Sequence, residues 1–209
     1  MDSHVFLHLA ATAEDALRRD DLATRWSEDS ALAGYSIGGL AGHLARAVLT
    51  VDRYLDRPAT TGEPTDPAGY LVRVLGTHDP VTSDLHAGVR ARGDEEAVDG
   101  PIALADRIRV ARRRLEARLA AIDPEQHIEV LDGVVLTVTD YLRTRVVELV
   151  IHLDDLDVSL GEDVRDVPEE AYAITASVLA QVAVTRVGGR ATVRSLARRE
   201  RHPDAVRAL

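Results

Sequence analysis

The chain has 209 residues, long enough for one domain with a proper core or one domain with a small appendage. Its formal charge of -10, with one Trp, five Tyr and one Phe, argues against a nucleic-acid partner, which calls for a basic face and stacking aromatic rings. The absence of cysteine excludes disulfides, cysteine-zinc sites and a thiol nucleophile, so any sulfur chemistry must use a thiol supplied from outside.

No stretch approaches the roughly eighteen apolar residues of a transmembrane pass. Met1-Asp2-Ser3-His4 is not followed by the charged and apolar segments of a secretory signal. The expectation is a cytoplasmic protein without membrane partners. All 25 Lys-plus-Arg positions are arginine, and asparagine is missing too. Lysine and asparagine have A-rich codons, so this usage marks a GC-rich genome of the kind found in actinobacteria.

From about Val5 to Trp26, apolar side chains at Val5, Leu9, Ala13, Ala16 and Leu17 alternate with acids and arginines, the pattern of an amphipathic helix. Residues 29–34 break it. Ser36 is placed to cap a second helix whose stripe is Ile37, Leu40, Leu44, Val48, Val51 and Leu55. Residues 58–67, rich in Thr, Gly and Pro, read as a loop, and short helices are expected near 68–75 and 83–92.

Pro101 opens a charged helix over 102–122 with Leu104, Ile108, Ala111, Leu115 and Leu119 as its buried stripe, and Pro124 stops it. Between Ile128 and Leu136, β-branched residues flank Asp132-Gly133, a hairpin signal. Thr137 or Thr139 can cap the next helix, which ends near Gly161. Four long helices with short links predict a mainly all-α fold, an antiparallel four-helix bundle with a β-hairpin before the fourth helix. One more apolar helix, to about Val187, a Gly188-Gly189 break and an arginine-rich tail complete the chain. The expected organisation is a metal-binding bundle over 1–162 and a short helical extension over 163–209.

Glu148 and His152 stand four residues apart in Tyr141-Leu142-Arg143-Thr144-Arg145-Val146-Val147-Glu148-Leu149-Val150-Ile151-His152. That spacing stacks both on one helix face, in a segment too apolar for a solvated ion pair. Burying a carboxylate and an imidazole is costly unless each finds a partner, and a divalent cation satisfies both. His43, among apolar residues in Gly39-Leu40-Ala41-Gly42-His43-Leu44-Ala45, is the candidate third ligand. A lone histidine there can equally be a hydrogen-bonded core residue. A His, Glu, His set from two helices leaves the open position that catalytic zinc prefers, and it suits iron or nickel as well. Asp155, three residues past His152, can orient that imidazole or stand as a solvated helix-end acid.

Gly34-Tyr35-Ser36-Ile37-Gly38 matches the G-x-S-x-G nucleophile elbow, but no strand precedes it, so Ser36 reads as a helix cap. HExxH, the P-loop and GxGxxG are absent. Arg190 and Arg194, in the arginine-rich run 190–201, can bind the carboxylate of a cofactor or substrate, or pair with the protein's own acids on a solvated face. His78, His86 and His127 receive no assigned role.

Gly34-Tyr35-Ser36-Ile37-Gly38-Gly39-Leu40-Ala41-Gly42-His43-Leu44-Ala45 and the segment from Tyr141 to Leu156 resemble, in order, two motifs of the DinB-like superfamily. The branch is the one named for the N-terminal domain of mycothiol-dependent maleylpyruvate isomerase, and tyrosine stands at 35 where that branch usually has tryptophan. The resemblance implies that His43, Glu148 and His152 hold a divalent metal, with zinc the expected ion, and that mycothiol, the small thiol of actinobacteria, is the co-substrate. It implies an isomerase or S-transferase acting on a small electrophile. An enzyme of this kind is expected to keep an open metal position in a pocket lined by Arg145 or a tail arginine, and Arg145 and Asp155 are the candidate catalytic residues. The isomerase proper carries a larger α/β domain after the bundle, whereas only a short helical ending follows Pro168 here, so the substrate stays open. The other class to weigh is a non-catalytic metal- or ligand-binding bundle, with pairing into a homodimer face to face.

Overall fold

The computed structural model describes residues 2–76, 83–131 and 133–198. Eight α-helices lie among them: α1 (Asp2–Ala16), α2 (Ile37–Leu55), α3 (Pro67–Leu75), α4 (Asp84–Ala97), α5 (Gly100–Ala121), α6 (Val138–Leu160), α7 (Glu169–Val187) and α8 (Gly189–Ala197). A single hairpin, β1 (His127–Val130) with β2 (Val134–Thr137), precedes α6. The four longest elements expected from the periodicity form the bundle. α1 packs on α5 and α6, and α2 packs on the same two, so α2 and α6 are direct neighbours. Among the described residues no helix is long and apolar enough to cross a membrane.

Local rules account for most element ends. The Ser36 hydroxyl accepts from Gly39 N at 2.9 Å and starts α2. Asp66 Oδ1 accepts from Gly69 N at 2.6 Å in front of Pro67, and Thr137 Oγ1 accepts from Asp140 N at 3.0 Å to start α6. Gly161 ends α6 with φ +70°, the left-handed conformation that favours glycine. The hairpin pairs Ile128 with Leu136 and Val130 with Val134, and all four side chains are buried. Asp132, half of the turn signal, lies outside the described residues, as do His78 and the tail beyond Arg198.

The first helix departs from expectation. The α-helix ends at Ala16, and Leu22–Arg25 forms a separate 3₁₀ turn. A long-range contact explains the break: the Trp26 indole lies against Gly38 and donates from Nε1 to the Ala97 carbonyl at 3.3 Å. A straight continuation of α1 would carry Trp26 away from both. α4 likewise runs on to Ala97, five residues past the predicted end, because it lies against α2 at close range. A methyl on Gly42 would stand 2.0 Å from the Gly93 carbonyl oxygen. That glycine pair sets the spacing of the two helices.

Beyond the bundle, α7 packs on α6 and α3 and buries Ala171, Val178 and Val182. The chain between α6 and α7 is tied down by Asp157, 1% exposed, whose carboxylate takes the Arg165 guanidinium and, at 2.9 Å, the Arg165 backbone N–H. Glu96, at the end of α4, is 9% exposed and surrounded by Arg46, Arg53 and Arg107.

Two outcomes follow. Gly42→Ala should lower stability by about 1–3 kcal/mol, because the added methyl meets backbone that cannot yield. Gly88→Ala in α4, where the new Cβ meets only an Arg92 nitrogen at 3.5 Å, should raise it by about 0.5 kcal/mol through helix propensity. Denaturant unfolding of the pair distinguishes the two, and equal effects would contradict the close approach of α2 and α4. Burial raises the Glu96 pKa, but hydrogen bonds from Arg53 and Arg107 outweigh it and leave the carboxyl below its ordinary value. A depressed native pKa stabilises the fold above the unfolded value and loses that contribution as pH falls through the native one. Glu96→Gln should therefore cost stability near pH 7, and that cost should shrink as pH falls below the ordinary carboxylate range, read as unfolding midpoints across the acid range.

Candidate metal centre

His43 occupies the second turn of α2, and Glu148 and His152 lie mid-way along α6. Because α2 and α6 are neighbours in the bundle, the three side chains meet on the seam between them. Oε2 of Glu148 lies 3.5 Å from His43 Nε2 and 3.3 Å from His152 Nε2. The two imidazoles stand edge to face with centroids 4.7 Å apart. Each of the three residues offers one ligand atom, and these atoms all lie within 4.8 Å of one another. The side chains of His43, Glu148 and His152 keep 17, 20 and 12% of their surface exposed, so solvent reaches the cluster.

This spacing is compatible with a bound ion as well as with hydrogen bonds among the three side chains. Donors about 2.0–2.1 Å from a tetrahedral zinc stand roughly 3.3–3.4 Å apart, close to both Glu148 distances. One carboxylate oxygen shared between two imidazole nitrogens is also the donor chemistry that zinc, iron or nickel accepts. His43 Nδ1 is buried with no hydrogen-bond partner, so the imidazole has only its Nε2 side engaged.

Electrostatics divide the two histidines. Burial pushes the His43 pKa down, and its contact with Glu148 does not offset that. Burial also acts against the charged form of His152, but hydrogen bonds to Asp155 and Glu148 prevail and lift it to about 9. Burial opposes ionisation of Glu148 as well, yet His152, His43 and the Arg145 charge hold its carboxyl well below the usual range. The surroundings therefore favour the ionised form of Glu148, the charged form of His152 and the neutral form of His43. The extra partner of His152 is Asp155, whose Oδ2 accepts from Nδ1 at 2.9 Å.

Arg145, one turn before Glu148, is 8% exposed. Its Nε donates to Thr144 Oγ1 at 3.1 Å and its Nη2 to the Tyr70 hydroxyl at 3.4 Å. The guanidinium lies over the Tyr141 and Tyr70 rings at 5.0 and 5.6 Å. Tyr141 is buried against Thr50, with 3.0 Å between the hydroxyls, and burial raises its pKa. On the other side of the cluster the Tyr35 ring stands 5.7 Å from His43.

Of the residues singled out in the sequence, His43, Glu148, His152, Asp155 and Arg145 converge here, and Ser36 caps α2. Arg190 and Arg194 do not join them. They lie on α8, which packs against α7, in a surface depression lined also by Val187, Gly188, Gly189 and Ala191. Neither is joined to the cluster by a hydrogen bond or ion pair. Sequence reasoning missed Tyr70 and the Gly42–Gly93 approach, since Tyr70 comes from α3 and Gly93 from α4, and no local pattern links them to the histidines.

Residues 6–157 match the family model described as the mycothiol maleylpyruvate isomerase N-terminal domain. Neither the curated proteins nor the solved structures include a match to the chain. The matched segment covers most of the chain and carries His43, Glu148 and His152 together, and the chain belongs to the mycothiol maleylpyruvate isomerase N-terminal domain family.

Proposed function

We propose that this protein is a metal-dependent enzyme that activates an exogenous low-molecular-weight thiol, mycothiol, for S-transfer to a small electrophile or for its isomerisation. The observation that carries the reading is the convergence of three donors from α2 and α6 at a solvent-reached point in a chain of this family. His43, Glu148 and His152 would hold the ion, zinc on the chemistry of the donor set. A bound divalent metal with an open position lowers the pKa of a thiol and so supplies a stronger nucleophile at neutral pH.

The protein's own residues supply the rest. Asp155 fixes the tautomer of His152, leaving Nε2 as a lone-pair donor toward the centre. Glu148 brings the negative charge that makes cation binding at the seam favourable. With no cysteine in the chain, the thiol must arrive with the substrate pair.

The zinc-loaded chain should accelerate the reaction of mycothiol with monobromobimane near pH 7, followed by fluorescence. A chelator should abolish the acceleration and added zinc should restore it. A loaded protein that leaves the free-thiol rate unchanged would favour the non-catalytic metal-binding class. Asp155→Ala should weaken zinc affinity by about 10–100-fold in competition with a chromophoric chelator. Unchanged affinity would return Asp155 to the role of a solvated helix-end acid.

A further inference from the structure

The two oxygens of Glu148 face different partners. Oε2 is the one that both imidazole nitrogens approach, at 3.5 and 3.3 Å, while Oε1 faces the Arg145 Nη2 at 4.0 Å. The hydrogen-bond partners of Arg145, Thr144 Oγ1 and the Tyr70 hydroxyl, are neutral, so the ion pair with Glu148 is what balances its charge. A buried charge needs such a counter-ion.

The guanidinium is held in place from beneath. Tyr141 packs edge to face on Tyr54 and on Tyr70, with centroids 5.6 and 6.3 Å apart, and Arg145 lies on that layer. A rigid positive charge thus sits on the side of Glu148 away from the histidines.

From this placement, and resting on the metal-site reading above, we infer that Arg145 is a positioning residue. It holds Oε1 of Glu148 away from the ion, so that the carboxylate serves through one oxygen and a coordination position stays free for the thiol. Without Arg145 no cation holds Oε1 back, and zinc can expand to five-coordinate. A merely structural Arg145 would affect stability and leave the ligand count untouched.

The test uses the full chain loaded with cobalt(II), whose visible absorption is strong in four-coordinate sites and weak at higher coordination. The wild-type protein should show the strong bands. Arg145→Met, similar in length but uncharged, should lose several-fold in intensity, and Arg145→Lys should lie between the two. Identical spectra for wild type and a folded Arg145→Met would overturn the inference while leaving the metal site intact. A wild-type chain that takes up no cobalt would overturn the metal reading and this inference with it. Should Arg145→Met fail to fold, X-ray absorption of the cobalt-loaded wild type decides: Glu148 bound through one oxygen supports the inference, and through both overturns it.

Discussion

An ionised carboxylate on the seam between two bundle helices is the constraint around which this structure is arranged. Glu148 belongs to the apolar stretch of α6, where a lone negative charge would be untenable. His152 from the next turn, His43 from α2 and Arg145 from the turn before all come to it. Arg145 and His152 balance the charge of the acid, and His43, whose pKa burial pushes down, completes the cluster.

Bringing His43 to that point depends on small residues elsewhere. α2 presents Gly38, Gly39 and Gly42 to the Trp26 ring, to Asp94 and to the backbone of α4. Helix-interior glycine costs roughly 1 kcal/mol relative to alanine, and here the close approach explains it. With α4 pressed on one side of α2 and α6 on another, the helix cannot roll, and His43 is fixed toward Glu148. Gly93 supports the same point directly, since a Cβ there would stand 3.3 Å from the backbone nitrogen and 3.5 Å from the Cβ of His43. The tyrosines do comparable work for α6: Tyr70 from α3 and Tyr141 fix the guanidinium one turn away from the carboxylate.

Much of this was legible in the residues because it rests on local rules. Serine before an apolar stripe, β-branched pairs about a turn, glycine at a helix end and the four-residue gap from Glu148 to His152 each depend on neighbours in sequence. They placed α2, the hairpin, α6 and the paired ligands. The features that escaped are those set by distant partners. Trp26 ends the first helix early because Ala97, seventy-one residues away, accepts its indole hydrogen. The length of α4 follows from a glycine in α2. Tyr70 reaches Arg145 across seventy-five residues. The arginines at 190 and 194 read as a carboxylate site or as a solvated face, and their location on α8 follows from packing against α7, which no charge pattern encodes.

In the proposed site donors from two separate helices share one ion, and His43 is the member contributed by α2. Zinc content of the purified full chain, set beside that of His43→Ala shown to be folded by circular dichroism, measures this directly. The arrangement predicts one tightly held zinc per wild-type chain and its loss from the variant. Equal zinc in both proteins would contradict it.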